Sequence, residues 1–286
     1  MSVQGREDVR HIREWLKHQL HLPQITDEKI MLFLHSCHYS LERTKSTIDT
    51  YFSLKTTAPE FFSERNPENE ELRRTAKIIQ VSPFPQKTPE GYRIIFGRLL
   101  NTDPSQFDLA SAIKYLFMVI DAVLKEDGLI PGFIIVYDMT GVSVGHLTRI
   151  NIATVKKYFM YVQEAIPLRR KGIHVINVNS VITSIMSIIK PFMSQEHMQA
   201  LHFHTSNNFE EFYKHVPQRL LPKDFSGEMN SCDSLHSETI KKLESYKDWF
   251  HEEESLKSDE NKRDIRSVNL NNGYSTVGSF KKLNID

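Results

Sequence analysis

The densest apolar patterning in the chain lies in residues 167–193. In 172–178, Ile173, Val175, Ile176 and Val178 put apolar side chains on both faces of a period-2 element, as in a strand that is covered on both sides and central in its sheet. From 181 to 190 the period changes. Val181, Ile182, Ile185, Met186, Ile188 and Ile189 cover well over half of a helix, leaving Thr183, Ser184, Ser187 and Lys190 as a narrow polar stripe. A helix so apolar is either ordinary core or a lid with greasy surface on two sides. Pro191 bars smooth continuation, and Phe192 and Met193 extend the apolar surface past the break, as in a hinged lid. Pattern alone leaves both readings open.

Upstream, residues 8–20 place Val9, Ile12, Trp15, Leu16 and Leu20 on one helical face. Thr26 or Asp27 can cap a second helix that buries Ile30, Phe33 and Leu34, and a third over 41–54 buries Leu41, Ile48, Tyr51 and Phe52. These helices form a small N-terminal module, residues 1–70. After two prolines in 58–69, a polar crossover leads to strands at 78–81 and 91–97. A helix opened by Asp103 or Ser105 ends at Gly128. The strand 132–138, a long amphipathic helix over 146–165, the strand 172–178, a short strand at 201–204 and a helix over 209–215 follow. Strand and helix alternate, which predicts an α/β domain, residues 76–250, with a largely parallel sheet. From 251 to 286 the chain turns polar and predicts a disordered tail.

Composition narrows the partners. Thirty-six basic residues balance thirty-six acidic ones, so no global field favours nucleic acid, and attraction to phosphate must come from local clusters such as Arg169, Arg170 and Lys171. Two distant cysteines and the absence of a charged-then-apolar leader predict a reducing, cytoplasmic setting; Ser2 after Met1 excludes N-myristoylation. No apolar run reaches the roughly 18–20 residues of a membrane span, so membrane contact is expected to be transient and peripheral.

Candidate chemistry is sparse. The run 141–145 is a literal G-x-S-x-G between a strand and a helix, the setting of a hydrolase nucleophile elbow. Asp224 and His236 could nominally complete a triad with Ser143. The oxyanion-loop signature is missing, however, and too few strands precede, so Ser143 reads better as a helix cap. His202 and His204 share a strand face, and His35, Cys37 and His38 crowd a helix end, but neither group offers a full zinc set at a recognisable spacing. No glycine-rich phosphate loop occurs, and no cofactor or metal is expected. The basic run 169–171, just before a buried strand, is either a solvated loop or a docking patch for anionic lipid head groups.

Several motifs together resemble the CRAL-TRIO lipid-binding family: VYDMTGVSVGHL, PLRRKGIHVINVNSVITSIMSIIKPFMS, LHFHTS and LLPKDFSGE, with FLHSCHYSLERTKSTIDTYF similar to the family's N-terminal helical module. The branch resembled is that of alpha-tocopherol transfer protein, the clavesins, cellular retinaldehyde-binding protein and their insect relatives. The resemblance covers about residues 8–230. It implies a mixed, largely parallel sheet that floors an apolar cavity, with a mobile gate helix as lid. It also implies that Val144, Thr148, Val181, Ile185, Ile188 and Phe192 face a lipid cargo, and that Arg169, Arg170, Lys171 and Lys190 dock on anionic, phosphoinositide-type head groups. Glu196 and Ala200 stand where relatives carry basic residues after the gate, and the arginine-rich run of the N-terminal module is replaced by 31–39 of this chain.

The expected function is therefore a monomeric, non-enzymatic carrier that holds one small hydrophobic lipid and exchanges it at membranes. A lipid-responsive module that recruits a protein when loaded, and a serine esterase, are the alternatives. Ser143→Ala is expected to leave lipid binding intact and to cost at most about 1 kcal/mol of stability, the worth of a helix cap. Serine-directed phosphonate labelling of the wild type, abolished in the alanine variant, would contradict this.

Overall fold

The computed structural model describes residues 3–264. The three helical stripes become α1 (Val3–Lys17), α2 (Asp27–Ser36) and α3 (Leu41–Thr57). Thr26 caps α2 by accepting from the Lys29 amide, and Ser40 caps α3 by accepting from that of Arg43. Each supplies a partner to an amide that the helix itself cannot satisfy. Ile12, Phe33, Leu34, Ile48 and Phe52 are fully buried between the helices. Leu20, assigned to the first stripe, lies beyond the end of α1 and is 77% exposed. A single turn, α4 (Pro59–Phe62), and α5 (Glu70–Ile78), which Asn69 caps, carry the chain into the sheet.

The sheet is mixed and largely parallel, as expected. β1 (Ile79–Pro83) runs antiparallel to β2 (Arg93–Leu99). After α6 (Leu109–Asp127) comes β3 (Phe133–Asp138), and after α7 (Val144–Leu147) and α8 (Ile152–Glu164) comes β4 (Arg170–Ile176). The crossover through α9 (Val181–Ile189), a 3-10 turn at Lys190–Phe192 and α10 (Gln195–Gln199) returns to β5 (Leu201–Phe203). Strands β2 to β5 are parallel, in the order β1-β2-β3-β4-β5.

Two helix boundaries differ from expectation for local reasons. Asp103 and Ser105 do not open α6: they form a turn of their own, in which the Ser105 amide donates to Asp103 at 2.9 Å, and Asp108 caps α6 through the Ser111 amide at 2.7 Å. The single helix expected over 146–165 is broken, because Asn151 accepts from the amides of Ala153 and Thr154 and starts α8 afresh. The C-terminus of α6 is as predicted, with Gly128 at φ +60°, a conformation that costs a glycine little.

Alternation along the strands splits the core in two. Ile79, Val81, Ile95 and Phe133 join α6, Tyr161 of α8 and the N-terminal module in one cluster. Ile94, Phe96, Ile134, Val136 and Ile176 face the other way, onto Phe212 of α11 (Glu210–Tyr213), Val216, Leu220 and the start of α12 (Cys232–Ser245).

The tail expected from residue 251 does not begin there. α13 (Lys247–Ser255) and a 3-10 turn at Glu260–Lys262 continue the fold and lie against the N-terminal module; the rest of the expected tail, 265–286, falls outside the described residues. Phe250 is fully buried, the Arg65 guanidinium sits 5.1 Å from its ring, and Arg65 also donates to Asp121 at 2.7 Å. Lys55 donates to the Glu253 carbonyl at 2.5 Å, and the Ser258 amide donates to the Phe52 carbonyl at 3.2 Å. Arg263 grips both oxygens of Asp49, at 2.7 and 3.0 Å. Past Phe250 the segment reads as polar because ion pairs and backbone bonds, with Leu256 packed against the core, hold it.

Burial alone would raise the Asp49 carboxyl, but hydrogen bonds from His21 and Arg263 outweigh it and hold the group down at about 2. A carboxylate depressed in the folded state contributes above its unfolded value and is lost as pH falls through the folded one. Arg263→Ala is thus expected to cost about 1–3 kcal/mol in urea unfolding at pH 7, the range for a charge-assisted hydrogen bond. The difference from wild type should vanish between about pH 4 and 2. Equal stability of the two proteins at pH 7 would show that the strap carries no energy.

Candidate functional site

The helix α9 is apolar most of the way round, yet none of its residues is buried, and it belongs to neither core cluster. Val181, Ile182, Ile185, Met186, Ile188 and Ile189 are all half-buried, with Thr183, Ser184 and Ser187 exposed. Phe192 and Met193, after the break at Pro191, are half-buried as well. A core helix of this composition would show the opposite.

The anchors of α9 fix its position. At its leading end the Asn179 amide group donates to the Val142 carbonyl at 3.0 Å, and Asn179 accepts from the Val181 amide. At its trailing end Gln163 of α8 donates to the Phe192 carbonyl at 3.0 Å and accepts from the Ser194 amide at 2.6 Å. His197 of α10 meets the Phe159 ring edge-on at 5.3 Å, and burial, reinforced by Arg170, depresses its imidazole to about 4. The whole crossover therefore lies on the α8 face of the sheet, and Gln163 acts as a bidentate clamp.

On that face the strand register aligns Gly97, Tyr137, Val175 and Phe203 in one row and Ile95, Ile135, Ile173 and Leu201 in the next. Tyr137, Ile135 and Leu201 are only half-buried and Phe203 is 44% exposed, so apolar surface of the sheet stays open towards β5. The Tyr137 ring lies over Gly97, where a Cβ would come within 3.4 Å of it. Its hydroxyl is 3.4 Å from that of Tyr158, whose own ring stacks on Phe117. Burial pushes both phenols up, so the two hydroxyls stay neutral. Sequence reasoning passed over this pair; Tyr137 was visible only as the last-but-one residue of the strand FIIVYD.

The other predicted site residues separate. Val144, 63% exposed, and Thr148, exposed with its hydroxyl donating to the Gly145 carbonyl at 2.8 Å, sit on or beside α7, next to α9. The cations 169–171 do not make one free patch. Arg169 donates to the His35 carbonyl at 2.7 Å, closing the end of α2, and Arg170 donates to the Val162 carbonyl at 3.2 Å with Glu196 3.9 Å away. Lys171 is exposed, its ammonium 5.5 Å from the Tyr92 ring, and Lys190 is exposed just past the end of α9.

Ser143 has a histidine neighbour that the sequence did not single out. Its hydroxyl is 3.1 Å from His146 Nδ1, and the Ser143 amide donates to the same nitrogen at 3.1 Å, a capping box for α7. His146 Nε2 is buried without a hydrogen-bond partner, so no carboxylate orients the ring. The nominal partners are engaged elsewhere: Asp224 accepts from the Cys232 amide, and His236 Nε2 donates to the Ala76 carbonyl. Cys37 donates to the Thr47 hydroxyl, and among the described residues no group of three or more histidine, cysteine or carboxylate side chains is arranged to hold a metal. Nor, among the described residues, is any helix long and apolar enough to cross a membrane.

Comparison with known proteins bears on this arrangement. Residues 80–227 match the CRAL/TRIO domain family, and residues 2–72 match the Pinta-like UBA domain. Human alpha-tocopherol transfer protein-like is 24% identical over 234 residues, which is 79% of this chain and 66% of that protein. Clavesin-1 of Xenopus laevis is 18% identical over 230 residues, 79% of this chain and 69% of that protein. The chain thus spans slightly less than two thirds of the first of these relatives. Among solved structures, the crystal structure of Sfh5 aligns with a TM-score of 0.48 at 12% identity, over 73% of this chain and 74% of that one. The match over residues 80–227 takes in half of the chain, and the chain belongs to the CRAL/TRIO domain family.

Proposed function

We propose that this protein is a lipid carrier in which α9 is the lid of a cavity floored by the partly open side chains of β3 and β5, on either side of the buried Ile173 and Val175 of β4. Members of the CRAL/TRIO family bind and transfer lipophilic ligands. The observation that carries the reading is the helix α9, apolar on nearly every side with no side chain buried. Apolar side chains spread most of the way round a helix, each only half-covered, leave room for two partners: a cargo inside and a bilayer interface outside. Shielding roughly 400–500 Å² of cargo at about 25 cal/mol per Å² would supply on the order of 10 kcal/mol before ordering costs, enough for tight retention.

The inner side would be formed by Val181, Ile185 and Ile188, closed by Val144 and Thr148 on α7 and by Phe192 at the hinge. The Tyr137 and Tyr158 hydroxyls offer a neutral hydrogen-bonding point on the floor, which suits a mostly apolar molecule with a hydroxyl or carbonyl better than one with a charged head. Docking on anionic, phosphoinositide-type head groups would fall to Lys171 and Lys190, because Arg169 and Arg170 already bond backbone carbonyls. The carrier would work without covalent chemistry, in the cytoplasm and transiently at membranes.

Ile185→Asp would force a carboxylate to be desolvated against cargo, or the lid to stay open, at a cost of several kcal/mol. Lipid co-purifying with the variant, quantified by mass spectrometry, should fall more than tenfold while the circular dichroism of the sheet is retained; full lipid retention would sink the lid assignment. For the docking surface, Lys171→Ala with Lys190→Ala should weaken binding to anionic vesicles several-fold at low salt and not at high salt, since exposed charges are screened over about 8–10 Å. Arg169→Ala should act instead through thermal stability. Identical vesicle binding by the lysine double variant and wild type at low salt would remove these residues from the docking surface.

A further inference from the structure

On the sheet face opposite the lid, four histidines from three elements meet at one place. The register sets His174 of β4 beside His202 of β5, and their rings stack with centroids 4.9 Å apart. His204 is on the same face, its ring stacked on that of His174 at 5.2 Å, and His174 Nδ1 shares a hydrogen bond of 2.9 Å with His204 Nε2. His215, just past α11, completes the group at 4.8 Å from His174 and 5.3 Å from His202. The set covers Phe212, whose ring centroid lies 5.6 Å from His174 and 5.4 Å from His204. His174 is almost wholly buried, and Gly172 makes room for it, since a Cβ there would come within 2.7 Å of His174 Nε2. The rings do not make a metal site, as no such group is arranged to hold an ion among the described residues.

We propose that this histidine cluster is a proton-operated latch: with His174, His202 and His204 neutral it holds β5 and α11 to β4, and when they take up protons it lets that edge go. β5 is three residues long and, among the described residues, pairs with β4 alone in the sheet, so the latch adds to a short edge ladder. Residues 177–200, which include the lid, are strung between β4 and β5, so release of β5 would free the trailing end of the crossover. That consequence rests on the lid reading above; the latch itself does not.

The surroundings set the direction of the response. Burial, then the neighbouring imidazoles His215, His202 and His204, push His174 down to about 3. Burial likewise lowers His202 and His204, with Glu211 opposing in both. Glu211, on α11, is the carboxylate facing the cluster, and Lys214 bonds it at 2.5 Å, which blunts its help to a second proton. The β3 neighbour of His174 is Val136, which offers no charge. Imidazoles depressed in the closed form regain their ordinary value of about 6.5 on release. The closed form is therefore undisturbed above about pH 6.5 and loses ground below it, by up to tenfold per pH unit for each imidazole freed.

Hydrogen exchange followed by mass spectrometry on the full chain without added lipid tests the latch apart from any cargo. After correction for intrinsic rates, amides of 201–216 should exchange at least tenfold faster at pH 5.0 than at pH 7.5, while those of α6, which carries no histidine, change little. His202→Asn with His215→Asn, two positions at the solvent rim of the cluster, should reduce that acid effect below threefold; should the pair fail to fold at pH 7.5, His215→Asn alone should at least halve it. An acid effect absent in the wild type, or undiminished in the variants, would overturn the proposal. A positive result with unchanged lipid content in Ile185→Asp would keep the latch and discard the lid.

Discussion

A nine-residue apolar helix with no side chain fully buried is the costly element of this fold. The hydrophobic effect drives such a segment to collapse onto the nearest core, and three anchors resist that collapse: the hydrogen bonds of Asn179 at the leading end, and those of Gln163 with the His197–Phe159 ring contact at the trailing end. The sheet is built to the same demand. Its β1–β2 side is closed by α6 and the N-terminal module, whereas towards β5 the side chains Ile135, Tyr137, Leu201 and Phe203 remain partly open. The sheet is thus closely packed on one side and only partly covered on the other.

The same economy explains the fate of the cations before β4. A guanidinium has planar, directional donors and is weakly hydrated, so it suits partly buried backbone carbonyls, while an ammonium prefers water. Arg169 and Arg170 took the carbonyl sites and Lys171 the solvent site. Arg169 thereby ties the end of α2 to the sheet, and a charge cluster in sequence becomes a joint in structure.

Periodicity disclosed the parts that depend on it: three amphipathic helices, the doubly covered strands, the all-round apolar α9. It missed what depends on side chains meeting across the chain. The Tyr137–Tyr158 pair needs the β3 register and the turn of α8, and the histidine cluster needs β4, β5 and α11 together; HFH hinted at two of the four rings, while His174 and His215 carried no signal. The break before α8 was written at Asn151, a good cap, but was hidden inside a continuous apolar stripe. Residues 251–264 misled because their contacts are ionic and distant, with Arg263 reaching Asp49 across 214 positions.

That last contact bears on how the molecule is made. The N-terminal module is compact in sequence, yet the segment that covers Phe52, Lys55 and Arg65 is the end of the described chain. At typical rates of synthesis of about 5–20 residues per second, some 10–40 s separate the emergence of α3 from that of Arg263. Through that interval Lys55 lacks its acceptor and the Arg65 guanidinium lacks the Phe250 ring. A nascent chain stalled before α13 should therefore be open to chaperones at its first domain rather than its last, and a truncation at the C-terminus should first be felt in α1 to α3.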